Sequence, residues 1–166
     1  MYALGGVDVR RKRASRPVTD LGTPERQAQR IALVGSPIDP RAEYPLGVLL
    51  ARGIIDQAMH DAGLKYGGAV RAHIGRTGYR QAKGEQFIND DAAAAIETSW
   101  RSCCAALLNL GRRAKDAVDN AVVYERLPGW LMRDQPRPSD ERERLALMLG
   151  LNALAEMLLQ RRARLD

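Results

Sequence analysis

The chain has 166 residues, 45% of them hydrophobic and 5% aromatic, with a formal charge of +6. That length and apolar content support one folded domain plus a tail and exclude a wholly disordered chain. With a single phenylalanine, the core must come from Leu, Ala, Val and Ile, which favours helices over a β-sandwich.

Residues 1–22 contain Gly5, Gly6 and Pro17 and no periodic apolar face. Arg10, Arg11, Lys12, Arg13 and Arg16 crowd into this stretch. Such a block repels itself, which predicts a flexible basic arm. It is not a secretory signal, because the cations follow the short apolar start and no long apolar run comes after them. No uninterrupted apolar run approaches the span of a bilayer, so no membrane partner is expected. Cys103 and Cys104 are adjacent and are the only cysteines. They can form no disulfide framework and lack metal-ligand spacing, which points to a cytoplasmic protein without zinc.

Residues 23–166 read as a single all-α domain of five or six helices. Thr23 is placed to cap a first short helix, with Pro24 and Glu25 in its opening turn. Ile31, Leu33 and Val34 are expected to dock that helix. A proline-bearing loop, IDPRAEYP, precedes a helix carrying Leu46, Leu49 and Leu50, with Gly53 as its left-handed stop. Asp56 is placed to cap the next helix, whose apolar positions run from Ala58 through Ala62 and Tyr66 to His73. Gly63, Gly67 and Gly68 should weaken it, by about 1 kcal/mol each against alanine.

GRTGYRQAKG, residues 75–84, reads as a glycine-rich basic loop. Asn89-Asp90-Asp91 then opens a helix with Ile96, Trp100, Cys103, Leu107 and Leu110 at spacings of three and four. Gly111 breaks it, and a further helix is predicted over 112–124. VYERLPGWL follows as either the turn of a DNA-reading motif or a hinge. Ser139 is placed to cap the last helix, whose apolar face takes in Leu145, Met148, Leu149, Leu151, Asn152, Ala155, Leu158 and Leu159. A face that wide predicts deep burial or a partner.

Catalytic signals are poor. His60 and His73 lack metal spacing, and no serine sits in a nucleophile-elbow context. The carboxylates cluster at helix starts, where capping explains them. GRTGYRQAKG lacks the Gly-Lys-Ser/Thr ending of a phosphate-binding loop, and no strand precedes it. No enzyme, cofactor or metal is expected. The basic residues carry more: Lys65, Arg71, Arg76, Arg80 and Lys83 lie in an interval free of acids, together with Tyr66 and Tyr79. Cations there would release counterions from nucleic acid while tyrosines stack on bases, or the segment is a solvated loop. Arg112 and Arg113 stand at a helix start, where positive charge opposes the helix dipole.

The order of features also carries a resemblance. A basic arm leads to TPER, then LLARGIID and AGLKY, a Trp-containing helix ending in LNLG, VVYERLPGWL, and a last helix LALMLGLNALAEMLL. This resembles small helical proteins of phages and prophages, chiefly of alphaproteobacterial genomes. Some of those look like late-gene transcription regulators or antiterminators with a sigma-like helix-turn-helix. The resemblance implies a DNA-linked regulatory role and no catalytic residues. Two features depart from a DNA-reading motif: the connection from Tyr124 to Ser139 is far longer than a three- or four-residue turn, and Asp140, Glu141 and Glu143 would repel phosphates.

The sequence therefore predicts a non-enzymatic regulatory protein whose ligand is nucleic acid, double-stranded DNA in particular. The contacts fall to Arg10, Arg11, Lys12, Arg13, Arg16, Arg71, Arg76, Arg80, Lys83, Arg112 and Arg113. The alternative is a module that binds a host or phage protein, or assembles with itself through the 139–160 helix.

Overall fold

Thr23 has extended backbone and its hydroxyl accepts from the Arg26 amide, so the chain turns into its first helix at Pro24. This computed structural model describes residues 23–79, 90–133 and 135–163, apart from the side chains of 76–79, 90 and 162. Six α-helices account for most of these residues: α1 (Pro24–Val34), α2 (Pro45–Ala51), α3 (Gln57–Tyr79), α4 (Asp90–Asn109), α5 (Arg112–Val122) and α6 (Pro138–Arg162). Two 3₁₀ turns, Pro40–Glu43 and Gly129–Met132, punctuate the connections, and no strand occurs among the described residues.

The all-α expectation therefore holds, and several helix ends follow the local chemistry read from the sequence. After α2, Gly53 takes φ 67. Its amide donates to Leu50 and the Ile54 amide to Leu49, which satisfies the carbonyls left open at the helix end. The Asp56 carboxylate then accepts from the Met59 amide at 2.8 Å and starts α3.

Other expectations fail for identifiable reasons. The stretch from Gly75 is not a loop at its start: α3 continues through Tyr79, so Gly75 and Arg76 are helical. Residues 80–89 lie outside the described residues, as do 1–22. The helix at 112–124 stops at Val122. Ser139 does not cap α6. The N-cap is Arg137, Pro138 takes the first helical position, and the Asp140 carboxylate reaches back to the Arg137 amide at 2.8 Å. Asp140 also pairs with the Arg133 guanidinium. These two contacts, the backbone one foremost, hold its carboxyl below the ordinary aspartate range.

Packing selects among the apolar positions. Leu33 is buried, whereas Ile31 is exposed, and Leu110 is exposed at the end of α4. On α6 the core-facing residues are Ala146, Leu147, Leu151, Leu154 and Ala155. Leu145, Leu149 and Leu159, expected on the buried face, are exposed. The core gathers Leu46, Val48 and Leu49 of α2, Tyr66 of α3, Leu107 of α4, Val118 and Val122 of α5, and this α6 face.

Two glycines let the helices close. A methyl group at Gly63 of α3 would stand 2.7 Å from Leu46 and 3.1 Å from Leu151. One at Gly150 of α6 would stand 2.5 Å from Val118 Cγ2 and 3.3 Å from Leu107. The helix weakening expected at Gly63 is thus offset by close packing.

Arg52, just past α2, fastens the periphery. It donates to the carbonyls of Leu33 (2.8 Å), Ala32 (3.0 Å) and Leu131 (3.0 Å). The first two are open carbonyls at the end of α1 and the third belongs to the 3₁₀ turn that holds Trp130. VYERLPGWL is a structured hinge: Leu131 and Pro128 are buried, while Val123, Leu127 and Trp130 pack partly buried against the core. Glu125 takes φ 50, and the Arg126 amide donates back to the Asn120 carbonyl at 2.8 Å.

Gly150→Ala should lower stability by about 1–3 kcal/mol, because overpacking against the stiff Val118 outweighs the gain in helix propensity. Gly68→Ala, where a methyl group meets nothing within 4 Å, should raise it by about 0.5–1 kcal/mol. Urea unfolding of both variants checks the contrast. Asp140→Asn should destabilise at neutral pH. A carboxyl depressed in the fold stabilises above the unfolded pKa, near 3.9, and loses that contribution as pH falls through the folded value. The gap from wild type should therefore close in acid.

Candidate nucleic-acid interface

Of the cations expected to meet nucleic acid, Arg71, Arg112 and Arg113 have described side chains. Arg10, Arg11, Lys12, Arg13, Arg16, Arg80 and Lys83 lie outside the described residues, and Arg76 is placed by its helical backbone alone.

Arg112 and Arg113 open α5. Gly111 before them has φ 102 and ψ 159, and its carbonyl accepts from the Ala114 amide at 3.1 Å. No side chain caps this end, and the first turn holds no acid. The open amides of Arg112 and Arg113 and the positive end of the helix dipole are therefore joined by two exposed guanidinium groups. Like charge at a helix start costs stability. The next residues turn inward. Ala114 is buried, and the Lys115 ammonium pairs with Asp119 one turn on.

Arg71 stands elsewhere. Tyr66 reaches Asp119, and Arg71 reaches Glu125 at 3.6 Å, so α3 and α5 run side by side in the same direction. Arg71 is thus level with the far end of α5, whose 11 residues span about 16 Å. The structure does not bring Arg71 together with Arg112 and Arg113, and it gives Arg71 an acidic neighbour.

Tyr66, expected to stack on bases, is 1% exposed and cannot do so. Its hydroxyl donates to the Asp119 carboxylate at 2.6 Å. Burial, and then the adjacent carboxylate, push its ionisation far above the ordinary tyrosine range. Burial works to lower the Lys115 ammonium, but the hydrogen bond and charge of Asp119 prevail and raise it. Tyr66, Asp119 and Lys115 form a satisfied polar cluster within the helix packing. Only its Lys115–Asp119 spacing of i,i+4 was readable in the sequence.

The histidines also find carboxylates. His60 is buried, with Nε2 3.0 Å from the Tyr44 hydroxyl and Nδ1 3.0 Å from Asp61 Oδ1. His73 stacks on the Trp100 ring at 3.8 Å between centroids and 6° between planes, with Nδ1 2.8 Å from Glu97 Oε2. The Tyr44–His60 contact ties the residue before α2 to α3 and the His73–Glu97 contact ties α3 to α4, whereas Asp61 follows His60 within α3; neither histidine lines either of two cavities. The larger, about 210 Å³, lies between the hinge and the α5–α6 pair and is walled by Asn120, Arg126, Pro128, Glu143 and Leu147. The smaller, about 90 Å³, is a groove between α3 and α6 beside Lys65.

Most other described arginines are committed within the fold. Arg26 and Arg30 pair with Glu43, Arg41 with Asp39, Arg101 with Glu97 and Arg133 with Asp140. Arg161 donates to the Ser102 hydroxyl at 2.7 Å. Against that background the α5 start stands out as a place where adjacent exposed cations meet no acid. Among the described residues no helix is long and apolar enough to cross a membrane. Comparison with protein families, curated proteins and solved structures finds no match to this chain.

Replacing Arg112 and Arg113 together by Gln should leave the fold intact and raise its stability by about 0.3–1 kcal/mol, as repulsion from the α5 dipole is relieved. Thermal and urea unfolding at low ionic strength measure this. A loss of stability would show that the two side chains are structural.

Proposed function

We propose that this chain is a non-enzymatic, phage-type regulatory protein of the cytoplasm that binds nucleic acid, with double-stranded DNA as its ligand. The observation that carries the reading is the start of α5. Two exposed arginines and their own two open backbone amides coincide at a helix end whose first turn holds no acid. A phosphate of the DNA backbone complements both.

The basic arm supplies the second contact. Arg10, Arg11, Lys12, Arg13 and Arg16 outnumber Asp8 and Asp20 there, so a large part of the net +6 lies before the first helix. Such an arm follows phosphates or enters the minor groove. Arg76 in the last turns of α3, and Arg80 and Lys83 after it in the sequence, extend the basic character. The helical domain serves as the scaffold. With Asp140 turned inward to the α6 start, and Glu141 and Glu143 exposed beside it, α6 is not assigned to the major groove.

The test is the anisotropy of a labelled duplex titrated with protein at salt concentrations from about 50 to 200 mM. Affinity should fall steeply with salt. Changing Arg112 and Arg113 to Gln should reduce the log–log slope by about two, and changing Arg10, Arg11, Lys12 and Arg13 to Ala by about four. Absence of binding at low salt, or binding with no salt slope, would overturn the reading.

A further inference from the structure

The outward face of α6 carries a pattern that its own fold does not use. Arg142, Leu145, Leu149, Asn152, Glu156 and Leu159 follow one another at alternating spacings of three and four, the seam of a two-stranded coiled coil. All but the half-buried Asn152 are exposed. Leu145 is 58% exposed, Leu149 49% and Leu159 57%. The residues that face the core, Ala146, Leu147, Gly150, Leu151, Leu154 and Ala155, lie on the opposite side of the helix. From Arg142 to Leu149 the seam therefore points away from α3, α4 and α5, while Leu159 at its far end borders the groove against α3, and a second helix can approach along it.

We propose that this seam joins two copies of the chain, α6 against α6, in antiparallel orientation. Charge selects the occupant and its direction. Centred between Leu145 and Leu149, an antiparallel copy sets each of these leucines against the other's counterpart. It also brings Arg142 to the Asn152–Glu156 pair of the second copy, in which Asn152 already donates to Glu156 at 2.8 Å. The two-fold axis makes this contact twice. Parallel pairing in register would instead stack Arg142 on Arg142 and Glu156 on Glu156. The leucine layers supply the apolar centre and the paired charges fix the register.

The extent of the seam sets the strength. From Arg142 to Glu156 it runs about 21 Å, and two helices meeting over that length bury less than the roughly 1,200 Å² of a standard interface. The dimer is accordingly weak and concentration-dependent. It stands independently of the nucleic-acid reading, since neither the arm nor the α5 start takes part.

Sedimentation equilibrium of the full chain, over concentrations from micromolar to about a millimolar, tests it. The apparent mass should rise from 18.3 kDa towards twice that value. Leu149→Asp should abolish the rise while circular dichroism stays unchanged, because the side chain is exposed. Arg142→Glu and Glu156→Arg should each weaken association by about tenfold, and the double variant should restore it. A chain that stays monomeric throughout overturns the proposal. So does a dimer that tolerates Leu149→Asp, or a charge exchange that brings no recovery.

Discussion

The approach of α6 to its neighbours governs this fold. Gly150 sits where any side chain would run into Val118, and Gly63 where one would press on Leu46 and Leu151. Removing a Cβ at each contact brings helix backbones close enough for aliphatic side chains to fill the space between them. Leu107, Val118 and Leu151 are fully excluded from water as a result. A core this poor in aromatic rings gains its dispersion contacts from short distances rather than from large side chains. The polar cluster of Tyr66, Asp119 and Lys115 follows from the same closeness. With α3 and α5 pressed together, the phenol of one helix reaches the carboxylate of the other, and Asp119 is paired by both Tyr66 and Lys115.

Much of this architecture was legible in the sequence where the controlling chemistry is local. Thr23, Gly53 and Asp56 mark helix ends because each satisfies backbone groups within a turn of itself. What depended on neighbours from elsewhere in the chain was not legible. Gly63 and Gly67 look like weak points of α3 until Leu46, Leu151 and Val122 are seen to fill the space they leave. The continuation of α3 past Gly75 also differs from the loop that the glycine content of 75–84 suggested. Ser139 has the cap-forming side chain, yet Asp140 does the work because the Arg133 guanidinium holds its carboxylate from outside the helix.

The candidate interface divides in the same way. The exposure of Arg112 and Arg113 follows from helical spacing once Ala114 and Val118 are recognised as inward positions. The fate of Tyr66 does not, because its spacing suits a buried face and a stacking platform equally well. On α6 the apolar residues surround nearly the whole helix, so periodicity left its orientation open. The choice of Leu147, Leu151 and Leu154 as the inner row was made by the contours of α3 and α5, and it left the coiled-coil spacing of Leu145, Leu149 and Leu159 facing outward.

Arg52 has a consequence of its own. One guanidinium closes the end of α1 and holds the carbonyl of Leu131, a residue 79 positions further along the chain. Withdrawal of that single side chain removes hydrogen bonds from both places together. The first described helix and the tryptophan turn are therefore linked through a shared donor at the edge of the molecule. Local opening of either segment therefore breaks hydrogen bonds that the other shares through one guanidinium.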